Sequence, residues 1–312
     1  MGTPEFALPT LEALCQTYPV VGVVTQPDRR AGRGRRVTPP PVKDLALAEG
    51  IPVFQPESLK KMESVEHLRA WSPDMMVVAA FGQLLPEDVL GIPPHGVLNI
   101  HPSLLPRWRG ASPIQAALLA GDDVTGVTIM KMDAGLDTGP ILAQREVKIK
   151  PRENAGELET RLAHLGAELL IEILPDYLNG EVDPRPQPEE DVTLSRRLPK
   201  KAAAIDWTTS AQELSHHVRA FAPAPGAFTF WEGRRLKILV AQPLEATEAV
   251  PEGEPGQVFG WNEMPAVITG EGALVLSRLQ MAGKRPMAGD AFLRGRKEIV
   301  GDVLGRQKPG EA

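Results

Sequence analysis

Strand-length apolar runs alternate with helix-length amphipathic stretches as far as residue 178, and after residue 200 that alternation stops. This change restricts the fold more than any other feature of the 312 residues. Val20–Thr25, Ile51–Phe54, Met75–Ala80, Val97–His101, Val124–Met132 and Ile141–Ile149 read as strands. Helical stretches lie over Phe6–Cys15, Lys43–Glu49, Met62–Trp71, from Pro86 onward, and over 113–120 and 154–178. The last repeats Leu158, Leu162, Leu165, Leu169 and Ile173 at helical spacing. Alternating strands and helices predict a doubly wound, Rossmann-like α/β domain with a mostly parallel sheet over residues 1–180. Pro184, Pro186, Pro188 and the acids at 189–191 mark a linker over 181–199. Residues 200–312 carry one helix, near 210–220, and short strands at 227–231, 235–241, 256–261, 265–269 and 273–279. That spacing predicts a small, OB-like β-barrel.

A βαβ unit opens with a strand, yet none precedes the helix at 6–15. Gly2-Thr3-Pro4 has the character of a loop leaving a strand. The first strand of the sheet is therefore expected to be missing here and to lie upstream of Met1.

The charge balance limits the partners. Net charge is −6, with 20 Lys and Arg against 27 Asp and Glu over residues 1–199, and 14 against 13 over residues 200–312. A polyanion would have to dock on a local basic patch. One patch stands out, because Arg29, Arg30, Arg33, Arg35 and Arg36 crowd into a Gly- and Pro-rich loop. Five guanidiniums there suit phosphate contacts. No apolar run reaches the roughly 18 residues that span a bilayer, and the N-terminus lacks a signal-peptide layout. A cytoplasmic enzyme without a membrane anchor or obligate protein partner, working as a monomer, is expected.

The chemistry concentrates in GVLNIHPSLLPRWRGASPIQ, residues 96–115. On a strand Val97, Asn99 and His101 share one face, so an amide and an imidazole project side by side. Pro102, Pro106 and Gly110 then constrain the loop, and Ser112, Pro113 and Gly121 punctuate the next helix. Such a pair suits a developing oxyanion, with Asn donating and His donating or shuttling a proton. Asp137, in the Gly-rich loop 133–139, is expected to close on His101, hold the imidazolium and raise its pKa. No G-x-S-x-G elbow accompanies Ser103, no H-E-x-x-H or C-x-x-C spacing occurs, and Cys15 is the single cysteine. No metal site is expected. No Walker lysine and no G-x-G-x-x-G follow a strand, which leaves nucleotide binding without support.

The run NIHPSLLPRWRGASPIQ, with the Asp of MDAGLDTGP 36 residues beyond the His, resembles the formyltransferases that use 10-formyltetrahydrofolate. GTPEFA at 2–7, TQPDRRAGRGRR at 25–36 and AIDW at 204–207 extend the likeness to the branch that acts on charged initiator tRNA. The resemblance implies Asn99, His101 and Asp137 as catalytic residues. It implies 10-formyltetrahydrofolate as co-substrate, lying against Phe81, Gly82, Gln83, Leu85, Ser103, Leu104, Leu105, Pro106, Asp133 and Gly135. Initiator methionyl-tRNA is the implied acceptor, gripped by Arg29, Arg30, Arg33, Arg35, Arg36 and the C-terminal domain. A formyltransferase for a small amine would need neither the Arg loop nor the barrel. A non-catalytic RNA-binding protein would need no Asn/His/Asp set.

Overall fold

A computed structural model describes residues 1–31, 36–244 and 249–305. Two units emerge, one of residues 1–113, 124–148 and 159–196, the other of residues 114–123, 149–158 and 197–312.

The first unit follows the β-branched and apolar runs. Its strands are β1 (Val23–Val24), β2 (Arg29–Ala31), β3 (Arg36–Thr38), β4 (Val53–Phe54), β5 (Met76–Val78), β6 (Val97–His101), β7 (Arg109–Gly110), β8 (Val124–Lys131), β9 (Ile141–Lys148) and β10 (Leu194–Ser195). The chain's helices up to this linker are α1 (Leu8–Thr17), α2 (Pro41–Ala48), α3 (Met62–Ala70), α4 (Glu87–Leu90), α5 (Pro113–Ala120) and α6 (Ala155–Leu178). β1 pairs with β4 and β5 with β6 in parallel, whereas β8 runs antiparallel between β6 and β9. β6 is buried along its whole length, as a strand covered on both faces must be. Its Leu98/Ile100 face meets α6. A Cβ on Gly166 of that helix would stand 2.5 Å from Ile100 and 3.2 Å from Val127, so only glycine admits this approach. Asn99 and His101 are left on the other face.

The chain's first two residues are paired on both sides. Met1 and Gly2 fill the position between β1 and β5 through three bonds. Gly2 N donates to Val24 O (3.0 Å), Ala79 N to Met1 O (2.9 Å), and the Met1 amine to Val77 O (2.6 Å). A cleft bordered by Ala7, Leu11, Leu14, Val23, Val42 and Val77 adjoins them. β1 and β5 hold two and three residues in ladder, shorter than the apolar runs Val20–Thr25 and Met75–Ala80 from which they form.

Two segments carry pairing that the sequence pattern does not show. The Arg-rich loop is partly a hairpin, because β2 and β3 pair antiparallel with Arg30 opposite Val37. The expected linker, residues 181–199, belongs to the first unit as far as Arg196. Arg185 exchanges two backbone bonds with Ile141, both 2.8 Å, and β10 pairs in parallel with β7. Proline spacing reveals only that a stretch is neither helix nor interior strand; it carries no information on what the stretch lies against.

In the second unit, β11 (Ala227–Trp231), β12 (Arg234–Pro243), β13 (Val258–Trp261), β14 (Met264–Ile268) and β15 (Ala273–Met281) form an antiparallel sheet in the order β11-β12-β15-β14-β13, with β16 (Met287–Ala288) on β15. Residues 301–305 bind both ends of this path. Leu304 N and Gly301 N donate to Gly256 O and Val258 O, and Gly305 N donates to Phe230 O on β11, all at 2.8 Å. The barrel character thus depends on a segment without strand periodicity. α7 (Ala211–Phe221) starts at a Ser210/Glu213 capping box and buries Leu214, Val218 and Phe221. α8 (Gly289–Gly295) lies against β14 and β15.

Candidate active site

β6 aims Asn99 and His101 from the last three residues of a buried strand, and both are nearly enclosed, at 9% and 4% exposure. Asp137 reaches them from the 133–139 loop. Its Oδ1 accepts from Asn99 Nδ2 at 3.5 Å, its Oδ2 lies 3.7 Å from His101 Nδ1, and Oδ2 also accepts from Gly110 N at 2.9 Å. The three side chains singled out in the sequence therefore meet at one point. Asp137 holds φ at +53°, a left-handed conformation that costs a non-glycine residue free energy and that clusters at functional sites.

The other ring nitrogen of His101 is occupied. Nε2 lies 3.1 Å from the carbonyl oxygen of Trp108. A carbonyl only accepts, so Nε2 carries the hydrogen and the neutral ring keeps its lone pair on Nδ1, toward Asp137. The charge state differs from the sequence expectation. Burial lowers the His101 pKa below 6.5, outweighing the opposite pull of the Asp137 carboxylate and of the Trp108 carbonyl. Partner identity can be read from spacing, but the desolvation that opposes it depends on tertiary packing.

The turn carrying Trp108 and Gly110 is built from several directions. Trp108 has φ +61° and Gly110 φ +115°, and a Cβ on Gly110 would stand 2.3 Å from Ser195 O. Thr193 Oγ1 accepts from Trp108 N (2.8 Å), and Ser195 Oγ donates to Arg109 O (3.2 Å). Loop 103–107 is bolted from beneath by Thr128. Its hydroxyl donates to Ser103 O (2.7 Å) and accepts from Leu105 N and Gln144 Nε2, both 3.0 Å. That uses the hydroxyl's one hydrogen and both lone pairs.

Family models for Formyl transferase and for Formyl transferase, C-terminal domain match residues 2–174 and 197–297. The chain belongs to the formyl transferase family. A methionyl-tRNA formyltransferase of Chloroflexus aggregans is 50% identical over 298 residues, covering 95% of this chain and 96% of that one. Among solved structures, WlaRD, a sugar 3N-formyl transferase crystallised with dTDP and 5-N-formyl-THF, superposes with TM-score 0.66 at 17% identity, covering 91% of this chain and 97% of its own. HypX from Aquifex aeolicus in complex with tetrahydrofolic acid matches with TM-score 0.59 at 21% identity over 86% of this chain, which spans 46% of HypX. The two structures share the formyl transferase fold with it.

The folate residues expected from sequence divide into two groups. Phe81, Leu85, Ser103, Leu105 and Pro106 are buried, Phe81 and Leu85 within the core around β5, and the Ser103 hydroxyl donates to Arg107 O at 2.6 Å. Both ends of the Gln83 amide are engaged, accepting from Leu59 N and donating to Pro56 O. The Asp133 carboxylate caps its own turn, accepting from Gly135 N and Thr138 Oγ1. These side chains shape the loops; they do not offer free polar groups to a ligand. Gly82 is exposed and Leu104 partly so, and a Cβ on Gly82 would come to 4.0 Å from Gln26 Nε2. Leu84 and Leu136, 71% and 55% exposed, are apolar residues that the sequence reading passed over. Their signal was a large aliphatic residue inside a loop.

Arg29 and Arg30 are exposed on β2, and Arg29 Nη2 donates to Gln26 Oε1 at 2.9 Å. Arg33 and Arg35 lie outside the described residues, as does the side chain of Arg36. Among the described residues no three His, Cys, Asp or Glu side chains gather as metal ligands, and no helix is long and apolar enough to cross a membrane.

Proposed function

We infer that this chain transfers the formyl group of 10-formyltetrahydrofolate to the amine of methionine carried by initiator tRNA, the step that prepares that tRNA for translation initiation. The observation that carries this reading is half-identity with a methionyl-tRNA formyltransferase along nearly the whole chain, the C-terminal unit included. The folate fits what the loops present. Gly82 is exposed and carries no side chain to bar an approaching heterocycle, and Leu84 and Leu136 are exposed apolar surfaces for an aromatic ring. The cytoplasm, where charged tRNA is consumed, is the proposed compartment.

The co-substrate supplies an activated formyl carbonyl. The acceptor must be a neutral amine, and α-amino groups titrate near ~7.7–8.0, so a useful fraction is neutral at physiological pH. Asn99 uses one amide hydrogen on Asp137, which leaves the other for the carbonyl oxygen as negative charge develops. His101 enters neutral, with Nδ1 as the free base, and takes the proton that the attacking amine must lose. Asp137, 3.7 Å from that nitrogen, stabilises the resulting imidazolium. The same nitrogen returns the proton to the departing folate nitrogen, so the pair ends as it began. Trp108 O fixes which ring edge performs this exchange.

The test is single-turnover formylation of charged initiator tRNA beside free methionine and an amino sugar nucleotide. Formylation of the tRNA alone is expected. Preference for either small amine would overturn the reading.

A further inference from the structure

We propose that Gln187 is a positioning residue of the active site, one that holds the Asp137 loop in register with the Trp108–Gly110 turn. The proposal rests on the reading of Asp137 as the partner of His101.

Gln187 lies between Pro186 and Pro188 in the stretch that the sequence marks as linker, and it is half-buried among exposed neighbours at 183–186 and 188–191. Both ends of its amide are engaged. Nε2 donates to Asp137 O at 2.9 Å and to Gly139 O at 2.7 Å. Oε1 accepts from Arg109 Nε at 2.9 Å. One side chain thus spans the backbone on both sides of Thr138 and ties it to the residue before Gly110. Gly110 N is in turn the donor that holds Asp137 Oδ2.

This placement answers a specific need. Asp137 sits at φ +53°, and a strained backbone persists only where its surroundings over-determine it. The carboxylate is fixed by Gly110 N and Asn99, but the backbone beneath it is fixed by Gln187. The flanking backbone keeps Gln187 on station, through Arg185 bonded to Ile141 and β10 paired with β7. Release of the amide frees the Asp137 carbonyl to rotate, and the carboxylate then drifts from His101 Nδ1.

Two variants of the full chain test this. Gln187→Met keeps the length and removes both polar ends, while Gln187→Glu keeps the acceptor for Arg109 and loses the donor to both carbonyls. With 10-formyltetrahydrofolate and methionyl-tRNA, kcat is expected to fall about 10- to 100-fold in each, with both KM values and the melting temperature nearly unchanged. If Gln187→Met is unstable, Gln187→Glu alone decides. In an Asp137→Asn background, followed by single turnover at enzyme excess, Gln187→Met should cost little more, since both changes act through one group. Wild-type kcat in both Gln187 variants, a loss confined to KM, or a fully multiplicative loss in the Asp137→Asn background would overturn the proposal. An Asp137→Asn enzyme with wild-type turnover would instead remove the catalytic reading on which it rests.

Discussion

His101 is pulled in two directions: its carboxylate neighbour favours the charged ring, and its burial favours the neutral one. Burial wins, so the neutral ring is favoured, and under the proposed mechanism the acid limb of kcat should lie below the ordinary histidine value of 6.5. Asp137→Asn, with the raising influence removed, should move that limb further down. A pH profile of kcat checks both, and a limb above 6.5 would refute the neutral-base role. Folding stability follows the same sign. A pKa lower in the folded than in the unfolded chain means that the His101 contribution is present above 6.5 and is lost as pH falls through the folded value. Asn99→Ala removes one donor to developing charge and should cost roughly 100- to 1,000-fold in kcat with folate binding retained. His101→Ala and Asp137→Ala should each abolish most turnover, and the double variant should be little worse than either, because the two act as one unit. Steady-state kinetics with a folate-binding titration measure this; additive losses would separate their roles. Asn99, His101 and Asp137 were legible because strand alternation and a Gly-rich loop are local patterns. Trp108 O and Gly110 N were not, since main-chain donors and acceptors have no residue signature, nor was Gln187, whose amide donates to main-chain carbonyls that no spacing points to.

At the scale of elements, the narrow point is the centre of the first unit's sheet. Met1 and Gly2 stand between β1 and β5, and burial pushes the Met1 amine down to about 5 from 8.0. The neutral amine is favoured in the folded chain, so stability should fall as pH drops from 8 toward 5. A short β-branched extension ahead of Met1 would replace the amine by a peptide N–H and lengthen both ladders. The extended chain should melt higher and lose that pH dependence; an equal or lower melting temperature would show that the two residues already suffice. The β7–β10 pair was not legible in the sequence, since Arg109–Gly110 and Leu194–Ser195 are too short to show periodicity, and only their meeting in space makes them strands.

Over the whole molecule the net charge of −6 makes any RNA contact a matter of local patches. Replacing Arg33, Arg35 and Arg36 by Ala should weaken methionyl-tRNA binding and flatten its salt dependence by up to about three units of slope, leaving folate affinity unchanged. Titration at several salt concentrations measures the slope, and an unaltered one would make the loop a solvated surface. The sequence by itself determined the division into an α/β unit and a β-rich unit, because hydrophobic period and turn chemistry are properties of neighbouring residues. It likewise determined the strand that carries Asn99 and His101. Tertiary structure alone decided the protonation of His101, since desolvation is the sum over everything packed around the ring. It alone brought residues 185–195 back onto β9 and the Trp108–Gly110 turn and residues 301–305 onto β11 and β13, because these pairings are made of backbone hydrogen bonds, which every residue but proline can donate and whose partners only the folded chain selects.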